Sequence, residues 1–144
     1  MNEKQIKAMA ECANLLAENG HSRNFFYEIL TESYRVHEWM GEKFGFNEKN
    51  DLRYTGQDIR FTVKDNNLYA ITLDWPGEKA VIKSLVPRSN WPGLYTSEIA
   101  SITMLGDGKE LKWEMTKEGL SITTPKKKPC EHAFVFKIER RRPV

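Results

Sequence analysis

From Asp58 to Glu139 the apolar residues of this chain recur with a period of two, and turn-forming Gly, Pro, Asn and Asp break the pattern every few residues. A period of two puts alternate side chains on opposite faces of an extended backbone, so the stretch reads as short, half-buried strands. Ile59, Phe61 and Val63 point one way, and Arg60, Thr62 and Lys64 the other. Asp65-Asn66-Asn67 reads as a tight hairpin turn, because Asn and Asp accept the backbone angles such turns require. Tyr69, Ile71, Leu73 and Trp75 are assigned to the inward face of the next strand. Ala80 to Val86 form a third strand, and Ile99 to Leu105 a fourth, closed by Gly106-Asp107-Gly108. Leu111, Trp113 and Met115 mark a fifth, Leu120 and Ile122 a sixth, and Phe134, Phe136 and Ile138 a seventh. About seven short antiparallel strands with frequent turns form the pattern of a β-sandwich.

Residues 1–46 change period. Ile6, Met9, Ala10, Ala13, Leu16 and Ala17 recur at helical spacing, with Asn2 and Gln5 placed as a capping box and Asn19-Gly20 as a stop. Ser22 can cap a second helix carrying Phe26, Ile29, Leu30, Val36, His37 and Met40, ended by Gly41 and Gly45. Residues 47–57 are polar and read as a linker, and 58–144 as the sandwich. The expected class is mainly β: an antiparallel β-sandwich of about seven strands with an N-terminal two-helix segment.

With 144 residues and a formal net charge of +2, the chain gives no electrostatic reason to expect nucleic acid or an anionic membrane as partner. Lys126-Lys127-Lys128 and Arg140-Arg141-Arg142 read as a solvated turn and a frayed terminus. No apolar run is long enough to span a bilayer. The start lacks the build of a signal peptide, so the chain as given is expected in the cytoplasm. Cys12 and Cys130 have neither disulfide-framework nor zinc spacing, and free thiols are expected.

Candidate chemistry is sparse. Cys130-Glu-His132 is compact but supplies too few ligands for a metal, and His21 and His37 have no evident convergence. Asp58 and Asp74 bound strands, Glu78 follows the Pro76-Gly77 turn, and Glu114 alternates outward beside Trp113 and Met115, so none is expected to be catalytic. No phosphate-cradling loop is present, and no cofactor or metal is expected. The loop between Pro87 and Glu98 is more informative. Trp91 and Tyr95, flanked by Arg88 and Asn90, could stack on a sugar face while polar groups bind its hydroxyls. The competing reading has Trp75 and Trp113 plugging the core and Trp91 pinning the loop.

Five segments, taken in order, carry a resemblance: Asp58-Ile-Arg-Phe-Thr62, Leu68-Tyr-Ala-Ile-Thr-Leu-Asp-Trp-Pro76, Leu111-Lys-Trp113, Gly119-Leu-Ser-Ile122 and Ala133-Phe-Val-Phe-Lys-Ile138. This order resembles the C-terminal β-sandwich of the α-L-fucosidases, a family of retaining glycoside hydrolases. The resemblance implies a parent activity of removing terminal α-linked L-fucose from glycans. In that family the catalytic carboxylates come from a barrel, which needs about 250 residues. The chain is therefore expected to be a non-catalytic accessory domain severed from its barrel and inactive alone. The first fifty residues depart from the family. Asn19-Gly20 is followed by His21 where members carry Glu, and Tyr34-Arg-Val-His-Glu-Trp39 keeps a Tyr–Trp spacing without the intervening residues. A diverged remnant, an unrelated lead-in and a truncation product all fit.

The amphipathic helices must bury their apolar faces against something. The candidates are the sandwich itself, a second copy, a fucosidase barrel or a separate protein. Phe25, Phe26 and Tyr27 put aromatics on more than one side of the second helix, which suggests a partner or self-association surface. The alternatives to an accessory domain are a carbohydrate-binding module using the Trp91–Tyr95 loop, or a protein-interaction or oligomerisation module built on these helices.

Overall fold

The structure is a computed structural model that describes residues 3–4, 27, 31–32, 54–87 and 93–141. Its strands are β1 (Thr31–Glu32), β2 (Ile59–Lys64), β3 (Asn67–Thr72), β4 (Lys79–Ile82), β5 (Ile99–Met104), β6 (Trp113–Met115), β7 (Leu120–Thr123) and β8 (Phe134–Arg140). They form two antiparallel sheets. One has five strands in the order β1-β2-β3-β8-β5, and the other has three in the order β4-β7-β6. The fold is mainly β, and all seven strands expected from the alternation between Asp58 and Glu139 are present.

A two-residue turn sets the first pairing. Asp65 (φ 52°) and Asn66 (φ 70°) both occupy the left-handed region. Two such residues in succession give a turn whose twist matches that of the flanking strands. Lys64 then pairs with Asn67, Phe61 with Ala70 and Ile59 with Thr72. On the far side of β3, Ala70 pairs with Phe136 and Leu68 with Ile138. Ala70 therefore lies between Phe61 and Phe136 in one row across three strands, and all three are buried. A small residue between two large rings lets the row interdigitate with the facing sheet.

This register corrects the expected face of β3. Leu68, Ala70 and Thr72 are buried, whereas Tyr69, Ile71 and Leu73 are only half-buried; Trp75, beyond the end of β3, packs against the core from a partly buried position. A three-residue turn, Asp65-Asn66-Asn67, would place Ile71 opposite Phe61 and turn the Tyr69 face inward. The actual turn is one residue shorter, and a shift of one residue moves every side chain to the other face. Thr72 is fully buried with its hydroxyl donating to the Phe134 carbonyl at 3.3 Å, so the inward polar atom is satisfied.

Across the interior, the three-stranded sheet contributes Ala80, Ile82, Leu120 and Ile122, with Leu85, Leu94 and Leu111 closing the core. Trp113 and Met115 pack against this cluster from partly buried positions. The sheets share a corner. Thr103 of β5 bridges to Glu110, and Leu111 N–H donates to the Ile102 carbonyl at 2.8 Å. One residue further on, the Lys112 carbonyl accepts from Thr123 N–H at 2.8 Å. The chain thus passes from the edge of one sheet to the edge of the other with backbone hydrogen bonds to both at the crossing.

Three local readings change. The expected second helix does not run through Thr31–Glu32, which are extended and pair with Arg60 and Ile59 along the edge of β2. Glu3, Lys4 and Tyr27 are helical, and the rest of residues 1–46 lie outside the described residues. The third strand ends at Ile82 and becomes a 3-10 turn, Lys83–Leu85, which buries Leu85. Arg140 and Arg141 are not frayed: Arg140 ends β8, and Arg141 N–H donates to the Glu98 carbonyl at 2.7 Å.

The inward row yields a test. Ala70→Leu should overpack the space between Phe61 and Phe136 and cost about 1–3 kcal/mol. The cost should appear in urea denaturation as a lower midpoint with unchanged slope. An unchanged midpoint would mean that Ala70 does not face the core.

Candidate functional site

The loop after Leu85 carries the residues proposed to meet a sugar, and the structure describes its two ends. Leu94 N–H donates to the Leu85 carbonyl at 2.9 Å, and both side chains are fully buried. Gly93 sits directly on Val86–Pro87. A Cβ at Gly93 would lie 2.5 Å from Pro87 N and 2.6 Å from the Val86 carbonyl carbon, so no larger residue fits without backbone movement. The ends of the loop therefore meet in a closed neck. Beyond the neck, Tyr95 is 52 % exposed. Its N–H donates to the Glu98 carboxylate at 2.8 Å, which orders the 3-10 turn Thr96–Glu98 leading into β5. Of the four candidate sugar contacts, Tyr95 is at the surface, and Arg88, Asn90 and Trp91 lie outside the described residues.

Tyr27 is the described member of the aromatic triplet, and it is not at a surface. It is fully buried, and its hydroxyl donates to the Gly93 carbonyl at 3.3 Å. The Arg140 guanidinium lies 5.1 Å from its ring centroid, within cation–π range. For this residue the covering partner is the sandwich. Phe25 and Phe26 lie outside the described residues. The sequence reading missed Arg140, whose place in a run of three arginines suggested a solvated tail. The available signal was its position two residues beyond Ile138, in phase with the inward face of the last strand.

The carboxylates considered for chemistry have local roles. Asp58 is 1 % exposed, and its Oδ2 accepts from Thr55 N–H at 2.6 Å and from Thr55 Oγ1 at 3.3 Å. Asp74 is exposed and accepts from Trp75 N–H at 2.7 Å. Glu78 is exposed, and its carbonyl accepts from Thr124 N–H at 3.0 Å. Glu114 is exposed on the outer face of β6. Trp75 meets Phe134 edge-on at 4.9 Å, with Lys128 Nζ 5.7 Å from its ring centroid. Cys130 is an exposed free thiol donating to the Ala133 carbonyl at 2.9 Å, and His132 is exposed beside it. Cys12, His21 and His37 lie outside the described residues.

The outer face of the five-stranded sheet carries a polar row. Ser101 Oγ donates to Glu139 Oε2 at 2.8 Å, and Lys137 Nζ lies 3.1 Å from Glu139 Oε1. The Ser101 hydrogen bond first, and then Lys137, hold the Glu139 carboxyl below its ordinary range. The hydrogen bond to Glu139 and its charge in turn raise Lys137.

The two antiparallel sheets packed around one core define a small β-sandwich domain. Residues 50–139 match the alpha-L-fucosidase C-terminal domain, and this chain belongs to that family. An alpha-L-fucosidase of Branchiostoma floridae is 32% identical over 96 residues, 63% of this chain and 19% of the relative. The chain thus spans about a fifth of that relative's length. The crystal structure of Thermotoga maritima alpha-fucosidase aligns with a TM-score of 0.44 at 28% identity, covering 56% of this chain and 17% of that one. Alpha-L-fucosidase isoenzyme 1 from Paenibacillus thiaminolyticus aligns with a TM-score of 0.43 at 18% identity, covering 75% and 25%.

The lowered Glu139 carboxyl makes a signed prediction. A carboxyl depressed in the folded state contributes stability that is present above its unfolded value, near 4.5, and is lost as pH falls through the folded value. A carbon-13 NMR titration should place the Glu139 midpoint below 4.5. Ser101→Ala and Lys137→Met should each raise that midpoint. A midpoint unmoved by Ser101→Ala would show that the ion pair, and not the hydroxyl, holds the carboxylate.

Proposed function

We propose that this chain acts as a non-catalytic accessory domain of an α-L-fucosidase, packing against a catalytic domain and contributing to the rim of its active site. The observation that carries the reading is the family match over residues 50–139, which runs from β2 into β8, in a chain that spans about a fifth of the length of a related fucosidase. The carboxylates are consistent with it. A retaining glycosidase needs two carboxyl groups roughly 5–5.5 Å apart across the scissile bond. Asp58 is buried in its own turn, and Asp74, Glu78 and Glu114 are exposed at strand ends or on an outer face. On this reading the removal of terminal α-L-fucose belongs to the joined enzyme.

A second reading draws on the closed neck. Tyr95, exposed just past the neck and ordered by Glu98, and Trp91 of the same loop would supply aromatic faces for a sugar. The two readings are compatible, since a rim loop of an accessory domain can contact the same glycan that the catalytic domain cleaves.

One experiment addresses both. The purified chain should hydrolyse an aryl α-L-fucoside no faster than a heat-inactivated sample. It should also form a complex, detectable by light scattering, with a fucosidase catalytic domain that lacks its own C-terminal domain. Turnover by the chain alone would overturn the accessory reading. If isothermal titration detects glycan binding by the chain, Trp91→Ala should abolish it, and retained binding would remove the loop from consideration.

A further inference from the structure

We infer that the sandwich carries a docking site for a tyrosine-anchored segment, and that the chain fills this site with its own lead-in. The site thereby fixes the sandwich to the polypeptide that precedes it. Tyr27 lies before the family-matched region and is nonetheless fully buried. Two separate parts of the sandwich contact it, and a third holds one of them. The Gly93 carbonyl at the loop neck accepts its hydroxyl proton. Arg140, at the end of β8, lays its guanidinium against the ring. Arg140 is itself held by the hairpin turn: its Nε donates to the Asn66 carbonyl at 2.8 Å, and Asn66 Nδ2 donates to the Arg140 carbonyl at 3.4 Å.

Each part of this receptor is positioned by the fold. The Asn66 carbonyl is placed by the left-handed turn, and the Gly93 carbonyl by a neck that excludes a Cβ. A planar guanidinium suits the face of an aromatic ring and stays charged at any physiological pH. A second attachment follows a few residues along the lead-in, where Thr31–Glu32 pair with Arg60 and Ile59 at the edge of β2. A main-chain ladder combined with one pocketed side chain is the logic of strand addition, in which the ladder gives affinity and the pocket gives register. Without β1, the six-residue strand β2 would present open backbone groups.

The partner is thus the segment leading into the sandwich. On the accessory reading proposed above, it is the polypeptide leaving the catalytic domain. Tyr27 and Arg140 would then set the orientation of the sandwich on that domain, as positioning residues remote from any chemistry.

Hydrogen exchange on the 144-residue chain tests the inference. Loss of the ring-to-cation and hydroxyl contacts should speed exchange by about tenfold in Tyr27→Ala, and comparably in Arg140→Met. The faster amides should be those of Thr31–Glu32 and β2, with β4 and β7 unchanged. Equal acceleration everywhere would reduce Tyr27 to core filling, and no change at Thr31–Glu32 would separate the two attachments; either result overturns the inference. If Tyr27→Ala does not fold, Arg140→Met and Tyr27→Phe carry the test. A synthetic peptide with the sequence of residues 24–34 should restore protection of β2 in Tyr27→Ala, and the same peptide with Ala for Tyr should not. Failure of the tyrosine peptide also overturns docking. None of these results depends on a catalytic partner, so the accessory reading stands or falls separately.

Discussion

The pairing of Lys64 with Asn67 across the Asp65–Asn66 turn governs more of this molecule than any other contact. It puts Ala70 opposite Phe61, and so decides which face of β3 meets the core. Because β8 pairs with β3, the same choice turns Phe134, Phe136 and Ile138 inward, and β5 inherits its phase from β8. Four strands therefore take their orientation from one two-residue loop. Both turn residues are non-glycine and sit at positive φ, which Asn and Asp tolerate better than other side chains. The turn has a further role, since its Asn66 carbonyl holds Arg140.

Tyr27 and Arg140 are more closely bound to the sandwich than their sequence neighbours suggest. Arg140 looks like part of a basic tail and Tyr27 like part of an exposed aromatic stripe. Tyr27 bonds to the loop neck, and Arg140 links its ring to the hairpin tip. The family match runs from residue 50 to 139, so it records β2 to β8 and leaves both β1 and this contact outside. A domain recognised by its sheets alone can therefore be narrower than the unit that buries the core.

Most of the strand positions were legible in the sequence, because alternation between Ile59 and Val63, or between Phe134 and Ile138, has one reading on an extended backbone. The face of β3 was not, because Leu68, Ala70 and Thr72 on one side and Tyr69, Ile71 and Leu73 on the other are both apolar enough to be buried. Only the turn length separates them, and Asp65-Asn66-Asn67 contains three residues suited to a turn that uses two. The helical period around Tyr27 correctly marked a helical residue. It could not reveal the strand at Thr31–Glu32, which exists because β2 offers an edge to pair with. For the candidate site, Tyr95 was found as an exposed aromatic. Arg140 escaped notice because its role depends on partners 74 residues away in sequence at Asn66 and farther still at Tyr27.

The corner at Glu110–Lys112 bears on how the molecule comes apart. Leu111 donates its N–H to β5 of the larger sheet, and Lys112 offers its carbonyl to β7 of the smaller one. Neighbouring peptide units thus serve both layers, and Leu111 also lies in the shared core. Peeling one sheet away would strip hydrogen bonds from the other at the same moment. A species with one intact sheet and one melted sheet is therefore costly, and the two layers should lose structure in a single concerted transition.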